Sequence, residues 1–180
     1  VPPGPATSAM GVVARHDDLG GEPVLAFRDV DVKFATEFGE VHAVKGVTFD
    51  VKPGEVVALV GESGSGKSVT SLAVMGLLPE YANVTGSVKF AGDELLGKSD
   101  NAMSKIRGNG IGMIFQDPLS ALTPVYDIGT QLVEAIQAHN SISKSKAMDR
   151  AAELLDLVGI PEPKKRLRSF PHEFSGGMRQ

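Results

Sequence analysis

The chain has 180 residues, a formal net charge of -4, 42% hydrophobic and 22% charged residues, and no cysteine. A chain of this length supports one main core with at most a modest appendage, and its composition excludes collagen-like, coiled-coil and wholly disordered classes. The missing cysteine excludes disulfides, thiolate zinc sites and iron–sulfur clusters and suits a reducing compartment such as the cytosol, while the acidic balance supplies no global field for nucleic acid.

Residues 1–22, "VPPGPATSAMGVVARHDDLGGE", have no basic start, apolar h-region or cleavage pattern, so they are not a signal peptide and read as a flexible tail. Segment 24–34 ends with Val30, Val32 and Phe34 alternating with Asp31 and Lys33, and 47–52 alternates in the same way. Both predict half-buried strands, paired antiparallel beside the main sheet. "EVVALV" at 55–60 is continuously apolar and β-branched, which predicts a strand covered on both faces in a parallel sheet. It contains the longest apolar run, far short of the roughly 20 residues a membrane helix needs.

Beyond residue 68, Val69, Leu72, Ala73 and Leu77 keep helical spacing until Pro79. "SVKFAG" at 87–92 predicts a strand, 100–107 a short helix, and "GIGMIF" at 110–115 a second buried strand. Helical stripes then follow at Ile128, Leu132, Ala135 and Ile136, and at Ala147, Ala151, Leu154, Leu155 and Val158, the second closed by Gly159 and Pro161. The expected organisation is a tail over 1–22, an α/β core over 23–117 and a helical subdomain over 118–180.

Between the 55–60 strand and the helix that follows lies "GESGSGKS", residues 61–68. Gly61-x-x-x-x-Gly66-Lys67-Ser68 matches the Walker A pattern at every fixed position. Glycines let successive backbone N–H groups turn inward around phosphate oxygens, Lys67 reaches the β and γ phosphates, and the Ser68 hydroxyl ligates Mg²⁺. The helix starting near Lys67 adds its N-terminal partial positive charge. Gly61, Glu62, Ser63, Gly64, Ser65, Gly66, Lys67, Ser68 and Val69 are therefore the candidate nucleotide-binding residues. A glycine-rich turn that binds nothing would not require this strand–loop–helix setting.

A phosphate loop alone does not separate a transporter ATPase from a small-molecule kinase or a GTPase. Three blocks taken together, "VGESGSGKSVT", "GMIFQDPLSALTPV" and "FPHEFSGGMRQ", resemble the nucleotide-binding subunit of an ABC transporter, closest to the dipeptide/oligopeptide importers, from about residue 24 to 180. The resemblance implies an α/β P-loop NTPase core of the ABC ATPase type, with a flanking antiparallel β region and an α-helical subdomain. It places Gln116 in the Q-loop, touching Mg²⁺ or the attacking water, a role that a neutral amide able to donate and accept suits. "FSGGM" resembles the signature usually written LSGGQ, so Ser175, Gly176 and Gly177 would contact the γ-phosphate of an ATP held by a partner subunit. The sequence departs from that pattern at Phe174 and Met178, and Met178 lacks the amide. Phe38 matches the place of an adenine-stacking aromatic, with a core phenylalanine as the alternative.

Two features carry plainer readings. The run "KKRLR" at 164–168 reads as a solvated face, and His172 has no partner at metal-ligand spacing. By resemblance the whole is an ATP- and Mg²⁺-dependent ATPase energising a di- or oligopeptide importer, peripheral on the cytoplasmic face of the cell membrane. It would work with a second ABC ATPase domain, identical or distinct, two integral membrane permease subunits and, indirectly, an external solute-binding protein, and with no nucleic acid. Import of nickel or another small solute, a non-transport ABC-type ATPase acting on nucleic acid or ribosomes, and a nucleotide-binding module without turnover are the alternatives. In the family the Walker B aspartate, catalytic glutamate and switch histidine follow the signature, and they are not in these 180 residues. The expectation for the segment alone is weak Mg-ATP binding and negligible hydrolysis.

Overall fold

The computed structural model describes residues 10–14, 21–117 and 121–180. The chain divides into two compact units, residues 1–104 and 105–180, so the boundary expected near residue 117 falls within the second.

In the first unit, β2 (Leu25–Thr36) and β3 (Gly39–Val51) form an antiparallel hairpin, and β2 also pairs antiparallel with β5 (Ala82–Phe90), which pairs with β6 (Asp93–Glu94). The order is β3-β2-β5-β6. The expected antiparallel pair is present, and both β3 and β5 begin earlier than their alternating segments. "GEVHAVKG" and "ANVTG" carry weak strand patterns of their own and are drawn into the ladder by β2. At Gly86, in the middle of β5, φ is +97° and an added Cβ would lie 2.4 Å from the Asp29 carbonyl oxygen, so this bulge depends on glycine. The inner face holds Phe27, Val30, Val32, Val44 and Val88, with the Phe27 and Phe49 rings stacked 4.3 Å apart.

Two expectations are corrected here. Residues 11–14 form a strand, β1, rather than part of a flexible tail; residues 1–9 and 15–20 lie outside the described residues. β1 pairs antiparallel with β4 (Val57–Val60) as a two-stranded sheet, and among the described residues β4 has no parallel partner. Val56 is 75% exposed and Val60 46%, so the continuously apolar run is not covered on both faces. A strand is sandwiched only when neighbours supply ladders and helices on both sides.

Helix α1 (Lys67–Met75) follows the glycine loop and ends earlier than Pro79. Gly76 adopts the left-handed conformation, and the Gly76 and Leu77 amides donate to the Ala73 and Leu72 carbonyls in a Schellman closure. Helix α2 (Asp100–Ser104) is the short helix expected near 100–107.

The second unit carries α3 (Ile128–His139) and α4 (Lys144–Leu157), capped by Asp127 and Ser143 side chains that accept from the Thr130 and Lys146 amides. Its core gathers Ile128, Ala151, Ala152, Leu155, Ile160, Leu167 and Phe174, with Leu132, Ile136, Met148 and Met178 against them. Ala135 and Val158 of the expected stripes are exposed, and Val133 is buried instead. Gly129 lets the chain cross α3 closely: its amide donates to the Leu167 carbonyl at 2.7 Å, where an added Cβ would also meet that oxygen at 2.7 Å. "GIGMIF" is not a strand. Only Ile111 makes an isolated bridge, with Arg107, and Ile114 is 94% exposed. An apolar run becomes a buried strand only where a ladder partner lies beside it. Residues 118–120, where the helical subdomain was expected to begin, lie outside the described residues, and among those described no helix is long and apolar enough to cross a membrane.

Glu94 ties β6 to β5. Burial alone would raise its pKa, but the Ser87 hydroxyl and the amides of Val88, Leu96 and Leu95 outweigh that and hold it below the ordinary carboxylate value. A folded-state pKa below the unfolded one contributes stability that is present above the unfolded value and is lost as pH falls through the folded one. Glu94→Gln should therefore cost stability at neutral pH and flatten its decline below about pH 4.5; chemical denaturation across that range checks this, and an unchanged slope would contradict it.

Candidate functional site

The Walker A residues form a closed turn between β4 and α1. Gly64 and Gly66 stand at φ +80° and +93°, in the left-handed region. A Cβ on Gly61 would lie 2.5 Å from the Ser65 hydroxyl oxygen, and one on Gly66 would lie 2.4 Å from the Ala43 carbonyl oxygen of β3. Gly64 has open space around it, so conformation alone demands glycine there; at Gly66 a backbone carbonyl excludes a side chain as well, whereas at Gly61 the near atom is the Ser65 hydroxyl, which can rotate aside.

Lys67 folds its ammonium back over the turn. Nζ donates to the Gly61 carbonyl at 2.9 Å, the Glu62 carbonyl at 2.6 Å and the Ser65 hydroxyl at 3.2 Å. All three ammonium protons are thus directed at the loop's own oxygens, and the cation sits within the ring that the loop describes. Helix α1 starts there with Gly66 as its N-cap and no side chain bonding its first amides. An uncapped helix start beside a fixed cation accepts an anion favourably. Buried Thr70 braces the turn from behind, its hydroxyl donating to the Gly66 carbonyl at 2.9 Å, and Ser68 is exposed one residue into the helix. The residues present therefore fit a nucleotide phosphate, with Ser68 available to a divalent cation. Among the described residues no cluster of His, Cys, Asp or Glu forms a metal site of its own.

The remaining candidates are placed as follows. Gln116 is exposed in the irregular segment after Ile111. Ser175 caps α6 (Gly176–Arg179), its hydroxyl accepting from the Met178 amide at 3.4 Å, and Ser175, Gly176 and Gly177 are exposed with open space where a Cβ would project from either glycine. Phe174 is 4% exposed and Met178 packs beside the same core, so the two departures from the usual signature are apolar packing positions. Phe38 is 99% exposed at the tip of the β2–β3 hairpin, which removes the core alternative for it. Phe34 is half-buried next to Tyr81, ring centroids 6.0 Å apart. His172 stacks on Phe170. Within "KKRLR", Lys164, Lys165 and Arg168 are solvated as expected, but Leu167 is buried and Arg166 half-buried over the Phe174 ring. Spacing did not reveal that contact, because the two residues meet only when α5 (Pro163–Arg166) folds back on the core.

The ABC transporter family model matches residues 44–180. The chain belongs to the ABC transporter family. Among curated relatives, the oligopeptide transport ATP-binding protein OppD of Mycobacterium tuberculosis is 59% identical over 159 residues, covering 88% of this chain and 26% of the relative. The dipeptide transport ATP-binding protein DppD of Bacillus subtilis is 52% identical over 161 residues, covering 88% and 48%. The chain thus spans about a quarter to a half of the curated relatives it matches. A solved ATP-binding cassette, MJ0796, in a dimeric post-hydrolysis state bound to ADP and Pi, superposes with a TM-score of 0.70 at 23% identity, covering 86% of this chain and 65% of that one. That likeness establishes the ABC ATPase fold.

Gly66→Ala forces both a strained φ and a contact with a strand carbonyl. It should lower stability by about 1–3 kcal/mol and abolish nucleotide binding, as thermal denaturation with and without ATP would measure. Gly64→Ala, strained but unobstructed, should retain more of both.

Proposed function

We propose that this chain is the ATP-binding part of a subunit that energises an importer of di- or oligopeptides through ATP hydrolysis. The observation that carries the reading is the Lys67-clasped glycine turn at an uncapped helix start, in a family member whose relatives are named for oligopeptide and dipeptide transport. On this reading Lys67 exchanges its loop carbonyls for phosphate oxygens, and the loop amides and the start of α1 hold the rest of the anion. The Ser68 hydroxyl would hold Mg²⁺, which would offset the phosphates' charge, and the resemblance gives Gln116 a Q-loop role toward that metal or the attacking water. Ser175, Gly176 and Gly177 are presented to a nucleotide on a second ABC ATPase domain, so that closure of the pair around ATP drives two membrane permease subunits. The subunit sits peripherally on the cytoplasmic face of the membrane.

For the base, the resemblance offers Phe38, and the geometry favours Phe34. Gly66 abuts Ala43, Phe34 pairs with Val41 only two residues before it, and Phe38 lies five residues before it. At about 3.3 Å per residue the first separation is roughly 7 Å along β3, whereas Phe38 lies beyond the end of that strand, in the hairpin turn. Phe34, beside Tyr81, is the nearer platform.

Lys67→Ala in the full subunit should weaken ATP binding by about a hundredfold or more, since it removes charge-assisted hydrogen bonds of about 1.5–3 kcal/mol each; titration calorimetry decides, and undiminished affinity would sink the phosphate-loop reading. Phe34→Leu should cost more ATP affinity than Phe38→Leu while leaving tripolyphosphate binding alone. The reverse order would return the base to the hairpin tip. For the transport role, peptide uptake in cells carrying Lys67→Ala should stop, and continued uptake would separate the chain from that function.

A further inference from the structure

The basic run at 164–168 is divided by the fold. Lys164, Lys165 and Arg168 face solvent, but the Arg166 guanidinium lies 5.6 Å from the centroid of the Phe174 ring, and its Nε is buried with no hydrogen-bond partner among the described residues. A guanidinium nitrogen gives up water without an acceptor only where another interaction compensates. Here the compensation is the negative face of a ring that is itself in the core. Phe174 is also the residue immediately before Ser175, and its carbonyl accepts from Arg179 Nε at 3.0 Å. One arginine therefore holds the ring and a second holds the backbone of the same residue, from opposite sides in sequence of the Ser175-Gly176-Gly177 turn. Leucine, usual at this place in the signature, offers no ring face to a cation.

We infer that Arg166 is a positioning residue for the signature turn, acting through its stack on Phe174 to fix the direction in which Ser175, Gly176 and Gly177 face a nucleotide on the partner domain. This rests on the split-site reading above. Arg166 acts here through Phe174 alone. Its effect reaches the turn through one side chain, because Phe174 is anchored in the core of the helical unit while the three residues after it are exposed. The same contact explains why a basic residue is tolerated next to buried Leu167: the charge rests on an aromatic face, whereas its neighbours Lys164 and Lys165 extend into water.

The test is a double-mutant cycle in the full subunit, with ATP-driven pairing of chains followed by light scattering and single-chain ATP affinity measured in parallel. Arg166→Gln should raise the ATP concentration for half-maximal pairing by about five- to thirtyfold, leave single-chain affinity within about twofold, and have little effect when introduced into Phe174→Leu. Arg166→Lys, which keeps the cation without the planar fork, should fall between wild type and Arg166→Gln. An equal effect of Arg166→Gln in both backgrounds, a parallel loss of pairing, single-chain affinity and melting temperature, or no effect on pairing would each overturn the inference. Ser175→Ala separates the two levels of argument: if it leaves pairing intact, the split-site reading itself fails, whereas if it weakens pairing while Arg166→Gln does not, only the role of Arg166 is lost.

Discussion

Gly66 meets the Ala43 carbonyl so closely that no side chain fits between them, and from that contact the first unit takes its arrangement. The glycine is at once the end of the phosphate loop, the N-cap of α1 and the point where that helix start is seated on β3. Its left-handed backbone turns the chain from loop to helix within one residue, and Thr70 fixes the turn by bonding the Gly66 carbonyl from the first turn of α1. Because the strand and the helix touch through backbone, the separation of loop and sheet cannot drift with side-chain rotamers. A site that must surround a phosphate with amides needs such a fixed frame.

Within that frame the lysine resolves an electrostatic problem of the turn itself. A loop curled so that its amides point inward also brings the Gly61 and Glu62 carbonyls together, and Lys67 satisfies both while holding a positive charge where an anion is to go. The cation therefore stabilises the loop, and the same charge would stabilise a phosphate brought to it. The uncapped start of α1 works in the same direction. A side chain at the N-cap would satisfy the first amides locally and weaken the anion site, so a glycine there serves the ligand at some expense to the isolated helix.

The second unit solves a different problem, that of presenting three small exposed residues from a packed base. Its core is built from α3, α4 and the returning segment 160–174, closed by Gly129 lying against Leu167. The signature turn emerges from Phe174, the last fully buried residue, and Met178 returns to the same core one turn later. The replacements at these two positions thus exchange polar or aliphatic possibilities for apolar anchoring, and the exposed part of the motif, Ser175-Gly176-Gly177, keeps the family pattern. Together the two units account for two glycine clusters in one chain: one curls around its own lysine, and the other is left exposed at the edge of a packed core.

Sequence alone determined what depends on contiguous residues. The Walker A spacing located the loop between strand and helix, the stripes fixed α3 and α4, and the three blocks in order fixed the family, because each is a local pattern whose meaning survives without knowing the neighbours. Tertiary structure decided whatever depends on a partner distant in the chain. It extended β3 and β5 through weakly patterned segments that β2 pairs with, paired β4 with β1, and left "GIGMIF" without a ladder and exposed at Ile114. It also took Arg166 out of a run that reads as solvated and laid it on Phe174, since whether a charge faces water or a ring is set by what folds against it, and no spacing of residues records that.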